Sequence, residues 1–302
     1  MKLITILGPT ATGKTTLAAH LAYHINGEII SADSRQVFRN MNIGTGKDYE
    51  DYFVEGTQIP YHLVDIADPG EEFSVFSFQK NFIDAFDKIK SENKTPILCG
   101  GTGMYIESVL RNYKLLEVPV NKQLREKLLN HSEKELAEIL SGLRSLHNTT
   151  DTLDKERLIK AIEIETFYKN NPDSKTVNPE FDSFVFGLNY DRKIVRERIT
   201  ARLIQRLEGG MIEEVHALLS NGVSPQRLKM YGLEYRYITQ FLLNEISHDE
   251  MFKLLNIAIH QFAKRQMTFF RHMEKNGIKI NWIDGNLSLE EKVRLITDLS
   301  SL

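Results

Sequence analysis

The chain has 302 residues, 41% hydrophobic and 26% charged, with a formal net charge of −3 at pH 7. That is the composition of an ordinary globular protein with enough core for one main domain plus an addition. The overall charge offers no general attraction for nucleic acid, though an average can hide a local basic face. The single cysteine, Cys99, excludes an internal disulfide and fits a reducing cytosol.

Residues 2–7 read as a strand, and residues 14–25 as a helix with Leu17, Leu21 and Ile25 on one face. The apolar start is too short for a secretory leader, and no run approaches the ~18 apolar residues of a membrane span, so a cytoplasmic protein is expected. Residues 28–32 and 61–66 read as further strands. Residues 76–90 form an amphipathic helix carrying Phe78, Phe82, Ile83, Phe86 and Ile89. A fourth strand, 95–99, buries Cys99 and enters Gly100-Gly101-Thr102-Gly103 and another helix. Alternating strands and helices predict a parallel sheet covered on both faces, with ligand bound at the carboxyl ends of the strands.

From about residue 121 to 170 charged helices replace strands. Ser132 and Glu135 form the pattern of a capping box, a second helix spans 154–169, and 170–174 reads as a loop. A strand returns at 184–188, followed by long helices at 191–220 and 248–275, a last strand at 279–283 and a terminal helix. The expected fold is α/β: a P-loop NTPase-like parallel sheet core, residues 1–112 and 181–302, with a helical C-terminal region. A helical insertion occupies residues 113–180. No internal repeat or low-complexity segment appears.

Gly8-Pro9-Thr10-Ala11-Thr12-Gly13-Lys14-Thr15 spells a P-loop in the right setting, between a strand and a helix. Its N–H groups and the helix N-terminus suit phosphate oxygens, Lys14 would neutralise a terminal phosphate, and the Thr15 hydroxyl would ligate Mg²⁺. A triphosphate hydrolase also needs an acid at a strand end. The strand at 95–99 ends instead in Gly100-Gly101. Asp65, in Leu63-Val64-Asp65-Ile66, lacks the glycine of a switch segment, and Asn93-Lys94-Thr95-Pro96 lacks the acid of a guanine-reading motif. Both read as structural turns.

Asp33 lies just past the second strand, on the sheet edge that carries the P-loop. There it could accept a proton from a nucleophile facing the phosphate, or cap a following helix. Residues 191–206 hold six basic and two acidic residues, and Arg198, Arg202 and Arg206 recur on one helix stripe. Such a stripe suits a pyrophosphate, an RNA backbone or a solvated face. Residues 263–271, Ala-Lys-Arg-Gln-Met-Thr-Phe-Phe-Arg, interleave charge with aromatics that stack on bases or fill a core. His20, His24, His260 and His272 show no metal-binding pattern.

Together these segments resemble the tRNA dimethylallyltransferases, or tRNA isopentenyltransferases. The likeness runs in order through 8–15, 32–38 (ADSRQVF), 41–47 (MNIGTGK), 61–78, 96–110 (PILCGGTGMYIESVL), 154–164, 196–215 and 263–271. It implies transfer of a dimethylallyl group from dimethylallyl diphosphate to the exocyclic amine of adenine 37 in tRNA, with Mg²⁺ as cofactor. Catalytic roles then fall to Asp33, Arg202, Lys14 and Thr15, and diphosphate binding to residues 8–15. Contacts to tRNA fall to Asp33, Ser34, Arg35, Gln36, Thr102, Arg157, Lys160, Arg198 and Arg265, with the insertion clamping the anticodon stem-loop. The resemblance also implies a monomer with no membrane partner. The chain departs from the family's pattern at Gly46-Lys47-Asp48, at Gly232-Leu233-Glu234-Tyr235-Arg236 and at Phe269. A P-loop small-molecule or nucleotide kinase is the competing expectation, and an RNA-binding protein with a decayed P-loop is a second.

Overall fold

Alternation of apolar side chains along residues 2–7 builds the middle of the sheet. In the computed structural model, which describes residues 1–143, 155–171 and 179–301, β1 (Lys2–Leu7) turns Leu3 and Leu7 to one face. Ile4 and Ile6 go to the other. Following β1 are α1 (Lys14–Ile25), β2 (Gly27–Ala32), a hairpin of β3 (Phe53–Val54) and β4 (Thr57–Gln58), and β5 (Tyr61–His62). Next come α2 (Val75–Ser91), β6 (Thr95–Gly100) and α3 (Gly103–Leu110). This unit comprises residues 1–113 and 179–302; a second unit comprises 114–178.

The second unit contains α4 (Lys122–Leu129), α5 (Glu133–Leu143) and α6 (Lys155–Asn170). Their apolar stripes meet in a small core of Leu128, Leu136, Leu140, Leu158, Ile159 and Ile162. Buried Glu163 accepts from the Asn121 amide at 2.6 Å and pairs with Arg125 at 2.7 Å, which ties α6 to the start of α4. The capping box forms: the Ser132 amide donates to Glu135 at 2.7 Å and the Glu135 amide to Ser132 Oγ at 3.3 Å. Asp154 and the loop positions 172–174 lie outside the described residues.

The chain re-enters the first unit with β7 (Asp182–Asn189) and α7 (Arg192–Glu208). There follow α8 (Met211–Ser220), α9 (Pro225–Leu228), α10 (Leu233–Leu242), α11 (His248–Lys275), β8 (Ile280–Asp284) and α12 (Leu289–Ser300). The large sheet has the order β5-β2-β6-β1-β7-β8, and every pairing in it is parallel. On one face Phe78, Phe82 and Phe86 of α2, Tyr105 and Ile106 of α3, and Phe270 of α11 pack against Leu3, Leu7, Ile30 and Leu98. Each such aromatic contributes about 1.5–3 kcal/mol by leaving water. On the other face Leu17 and Leu21 of α1 and Ile296 of α12 meet Ile4, Ile6, Ile29, Ile97 and Cys99. No described helix is long and apolar enough to cross a membrane.

Two sequence expectations are corrected. The helix read over 191–220 is two helices, because Gly209-Gly210 interrupts it and Gly210 takes φ 95°, a conformation glycine tolerates best. The strand read over 61–66 stops after His62, since Leu63 and Asp65 both adopt positive φ. Asp65 is held there by bonds of 2.5 Å from both Lys47 Nζ and Tyr49 Oη.

Candidate active site

Sheet register assembles the site. Leu7 and Ala32 both align with Gly100, and Leu7 also aligns with Gly187. The residues one step further along β1, β6 and β2 are therefore neighbours at one edge: Gly8, Gly101 and Asp33. The P-loop, the glycine turn and the candidate base, far apart in sequence, emerge side by side at the carboxyl ends of three adjacent strands.

The P-loop folds back through Ala11 (φ 62°) and Gly13 (φ 75°) before α1 begins at Lys14. Thr12 Oγ1 and Lys14 Nζ both donate to the Pro9 carbonyl at 2.8 Å. The Thr10 amide is already engaged by Gln266 Oε1 at 2.9 Å, while Gln266 Nε2 donates to the Gly101 carbonyl at 2.9 Å. Gln266 of α11 thus clamps the P-loop to the turn after β6. In the sequence it shows only as one member of a basic cluster.

Burial lowers the Lys14 pKa to about 8; Arg202 pushes the same way and Asp33 opposes. A cleft of roughly 300 Å³, part of it open to solvent, is lined by Thr10, Ala11, Arg202, Arg206, Glu234 and Ile259 among others. Arg202 and Arg206, one turn apart on α7, face this cleft, and burial followed by repulsion from Arg202 lowers the Arg206 pKa. Arg198 parts from the stripe: it is exposed, with its guanidinium 4.3 Å from the Tyr190 ring centroid.

No helix follows Asp33; residues 34–37 form turns, and Asp33 Oδ1 accepts from the Arg35 amide at 2.8 Å. Of the two roles open to it, Asp33 caps a turn rather than a helix, and its carboxylate stays at the sheet edge. Thr102 Oγ1 accepts from the Ser34 amide at 3.0 Å, which joins the turns after β2 and β6. Gln36 donates to the Gly46 carbonyl at 3.0 Å and shares a bond of 3.2 Å with Ser31. Arg265 is exposed on α11; Arg157 and Lys160 sit on α6 of the second unit.

The loop at 41–47 is fixed by Glu214, another residue the sequence did not disclose. Its carboxylate accepts from the amides of Asn42 (2.8 Å), Ile43 (2.7 Å) and Gly44 (3.1 Å), and from Tyr235 Oη (2.6 Å). Among the described residues no group of three His, Cys, Asp or Glu side chains gathers to hold a metal. A hard cation here would take oxygen from Thr15 and from a bound phosphate, a donor set that suits Mg²⁺.

Known proteins share this architecture and much of this sequence. A family model described as IPP transferase matches residues 36–273. A protein of Phocaeicola vulgatus named tRNA dimethylallyltransferase 2 is 54% identical over 297 residues, covering 98% of this chain and 97% of its own. The crystal structure of a tRNA isopentenylpyrophosphate transferase from Bacillus halodurans superposes with a TM-score of 0.71 at 30% identity. That match covers 99% of this chain and 95% of the other. A eukaryotic dimethylallyltransferase described as acting on tRNA shares the fold, with a TM-score of 0.80 at 21% identity over 99% of this chain and 79% of its own.

Proposed function

The chain belongs to the IPP transferase family, and from that premise we propose that it is a tRNA dimethylallyltransferase. In this reading it transfers the dimethylallyl group of dimethylallyl diphosphate to the exocyclic amine of adenine 37, and it works in the cytoplasm as a monomer. The carrying observation is that Arg202 and Arg206 share a cleft with Thr10 and Ala11 of the P-loop, while Asp33 emerges at the same sheet edge, after β2, and β6 between them ends without an acid.

The amine nitrogen attacks the allylic carbon, the carbon–oxygen bond breaks, and the diphosphate leaves with the bonding pair. Lys14, Arg202 and the amides of the P-loop receive the growing negative charge on the leaving oxygens. Thr15 is the ligand the chain offers to Mg²⁺, which when bound adds neutralisation at those oxygens. Asp33 hydrogen-bonds the amine, orients its lone pair and takes the proton as the new bond forms. An adenine can reach this edge only by leaving its stack. Ser34, Arg35, Gln36, Thr102, Arg198 and Arg265 are assigned to the tRNA side. Arg157 and Lys160, with the helices of 114–178, grip the anticodon stem-loop.

The test incubates the protein with Mg²⁺, labelled dimethylallyl diphosphate and unmodified tRNA, then digests the RNA to nucleosides. Labelled isopentenyladenosine is expected, and a parallel nuclease digest to oligonucleotides should place it at position 37. Absence of label with any tRNA, alongside phosphate transfer from ATP to a small acceptor, would favour the kinase reading instead.

A further inference from the structure

We propose that Asp48 is an internal counter-anion that occupies the Arg202–Arg206 pair in the free protein and must leave it when the donor's diphosphate binds. The proposal rests on the donor site described above and adds a built-in competitor to it.

Asp48 Oδ2 accepts from Arg202 Nη2, and Arg206 Nη2 lies 3.3 Å from Oδ2 and 3.4 Å from Oδ1. One carboxylate therefore bridges two guanidinium groups that stand a turn apart on α7. Two neighbouring cations in a partly dry cleft repel each other, so an anion between them is favourable. Guanidinium groups meet carboxylate and phosphate oxygens with the same fork geometry. The bridge thus holds the position a phosphate group would take.

Relative burial shows which partner can move. The side chain of Arg206 is 14% exposed and that of Arg202 31%, against 45% for Asp48. The chain on one side of Asp48 is fixed: the Lys47 ammonium is bonded to Asp65 and Phe38, and Gly46 lies against Arg206. A Cβ at Gly46 would collide with Arg206 Nη2. Displacement is therefore a rotation of the Asp48 side chain towards water, with the loop left in place. Asp51 lies near enough that Asp48, after burial, helps raise its pKa. Negative charge is already crowded there, and an arriving diphosphate would add to it and drive Asp48 out.

The test titrates inorganic pyrophosphate with Mg²⁺ into the full chain by calorimetry at fixed salt. Asp48→Asn and Asp48→Ala are each expected to bind about three- to fivefold more tightly than the unaltered protein, the scale of one partly exposed ion pair. The gain should vanish when Arg202 and Arg206 are both alanine. Unchanged or weaker binding in both Asp48 variants, with melting temperatures intact, would mean that Asp48 positions the arginines rather than competing for them. A gain that persists without the arginines would reduce Asp48 to a general charge effect and overturn the pairing. If the unaltered protein and every variant failed to bind pyrophosphate, the donor site itself would be wrong.

Discussion

Two lysines in the same unit, Lys47 buried and Lys14 half-buried, show how a cation assigned here to a ligand differs from one used by the fold. Lys47 is 5% exposed and engaged on several sides: the Phe38 carbonyl, Asp65 Oδ1 at 2.5 Å and Asn42 Oδ1 at 3.4 Å. Its positive charge is answered inside the fold, and it holds the 63–67 segment against the 41–47 loop. Lys14 donates to a neutral partner, the Pro9 carbonyl, and has a cationic neighbour in Arg202. Burial lowers the pKa of both, but Asp65 first resists the drop at Lys47, whereas Lys14 falls to about 8. A lysine drawn partly out of water without a bonded anion costs stability. On the proposed reading, the fold retains that cost where a phosphate is to arrive.

The comparison can be broken or sharpened in four ways, beginning with the reacting side of the site. Asp33→Ala should reduce transfer to tRNA by about 10²–10⁴-fold, the range of general base catalysis, while pyrophosphate still binds. Near-normal turnover in that variant would remove Asp33 from proton transfer. Next, Lys14→Met should weaken pyrophosphate about 10- to 100-fold, the loss of a charged hydrogen bond, and should also stabilise the free protein.

The second half of that prediction follows from linkage. Folded Lys14 binds its proton more weakly than the unfolded chain does, with a pKa of about 8 against 10.5. The penalty is therefore complete below about pH 8 and fades as pH rises to 10.5. Removing the ammonium should gain roughly 1–3 kcal/mol in a melt near neutral pH. A drop in stability would show that Lys14 supports the fold much as Lys47 does.

Lys47→Met should do the opposite of Lys14→Met. It leaves the Phe38 carbonyl without its ammonium and Asp65 with only the Tyr49 hydroxyl, so a loss of about 1–3 kcal/mol in denaturant unfolding is expected, with pyrophosphate affinity little changed at low temperature. The smallest effect concerns pH alone. Pyrophosphate affinity of the unaltered protein should fall by a few-fold as pH rises through about 8 and Lys14 loses its proton. Lys14→Arg, which does not titrate there, should flatten that profile.

Much of this site was legible from local pattern. Apolar runs located the β1, β2 and β6 strands, and their parallel pairing follows from alternation with helices. The P-loop carries its own spacing, and four-residue recurrence put Arg202 and Arg206 on one face of α7. What stayed hidden depends on partners distant in the chain. Nothing local marks Glu214 as the clamp of amides some 170 positions away, or Gln266 as the bridge from Thr10 to Gly101. Asp48 acquires meaning only when α7 folds against its loop. The strand read over 61–66 failed for the same reason: its residues are mostly apolar, but Lys47 and Tyr49 fix Asp65 in a positive-φ conformation foreign to a strand. Arg198 kept the helical spacing, yet the Tyr190 ring drew it to a separate contact.

The central claim is that this P-loop holds a diphosphate leaving group rather than a nucleoside triphosphate. Its most direct test counts products: pyrophosphate released and prenylated adenosine formed, measured together with and without tRNA, and with ATP present or absent. The account predicts one pyrophosphate for each modified adenosine, none without tRNA, and no consumption of ATP. Pyrophosphate release that ignores tRNA, or phosphate released from ATP at a comparable rate, would contradict it.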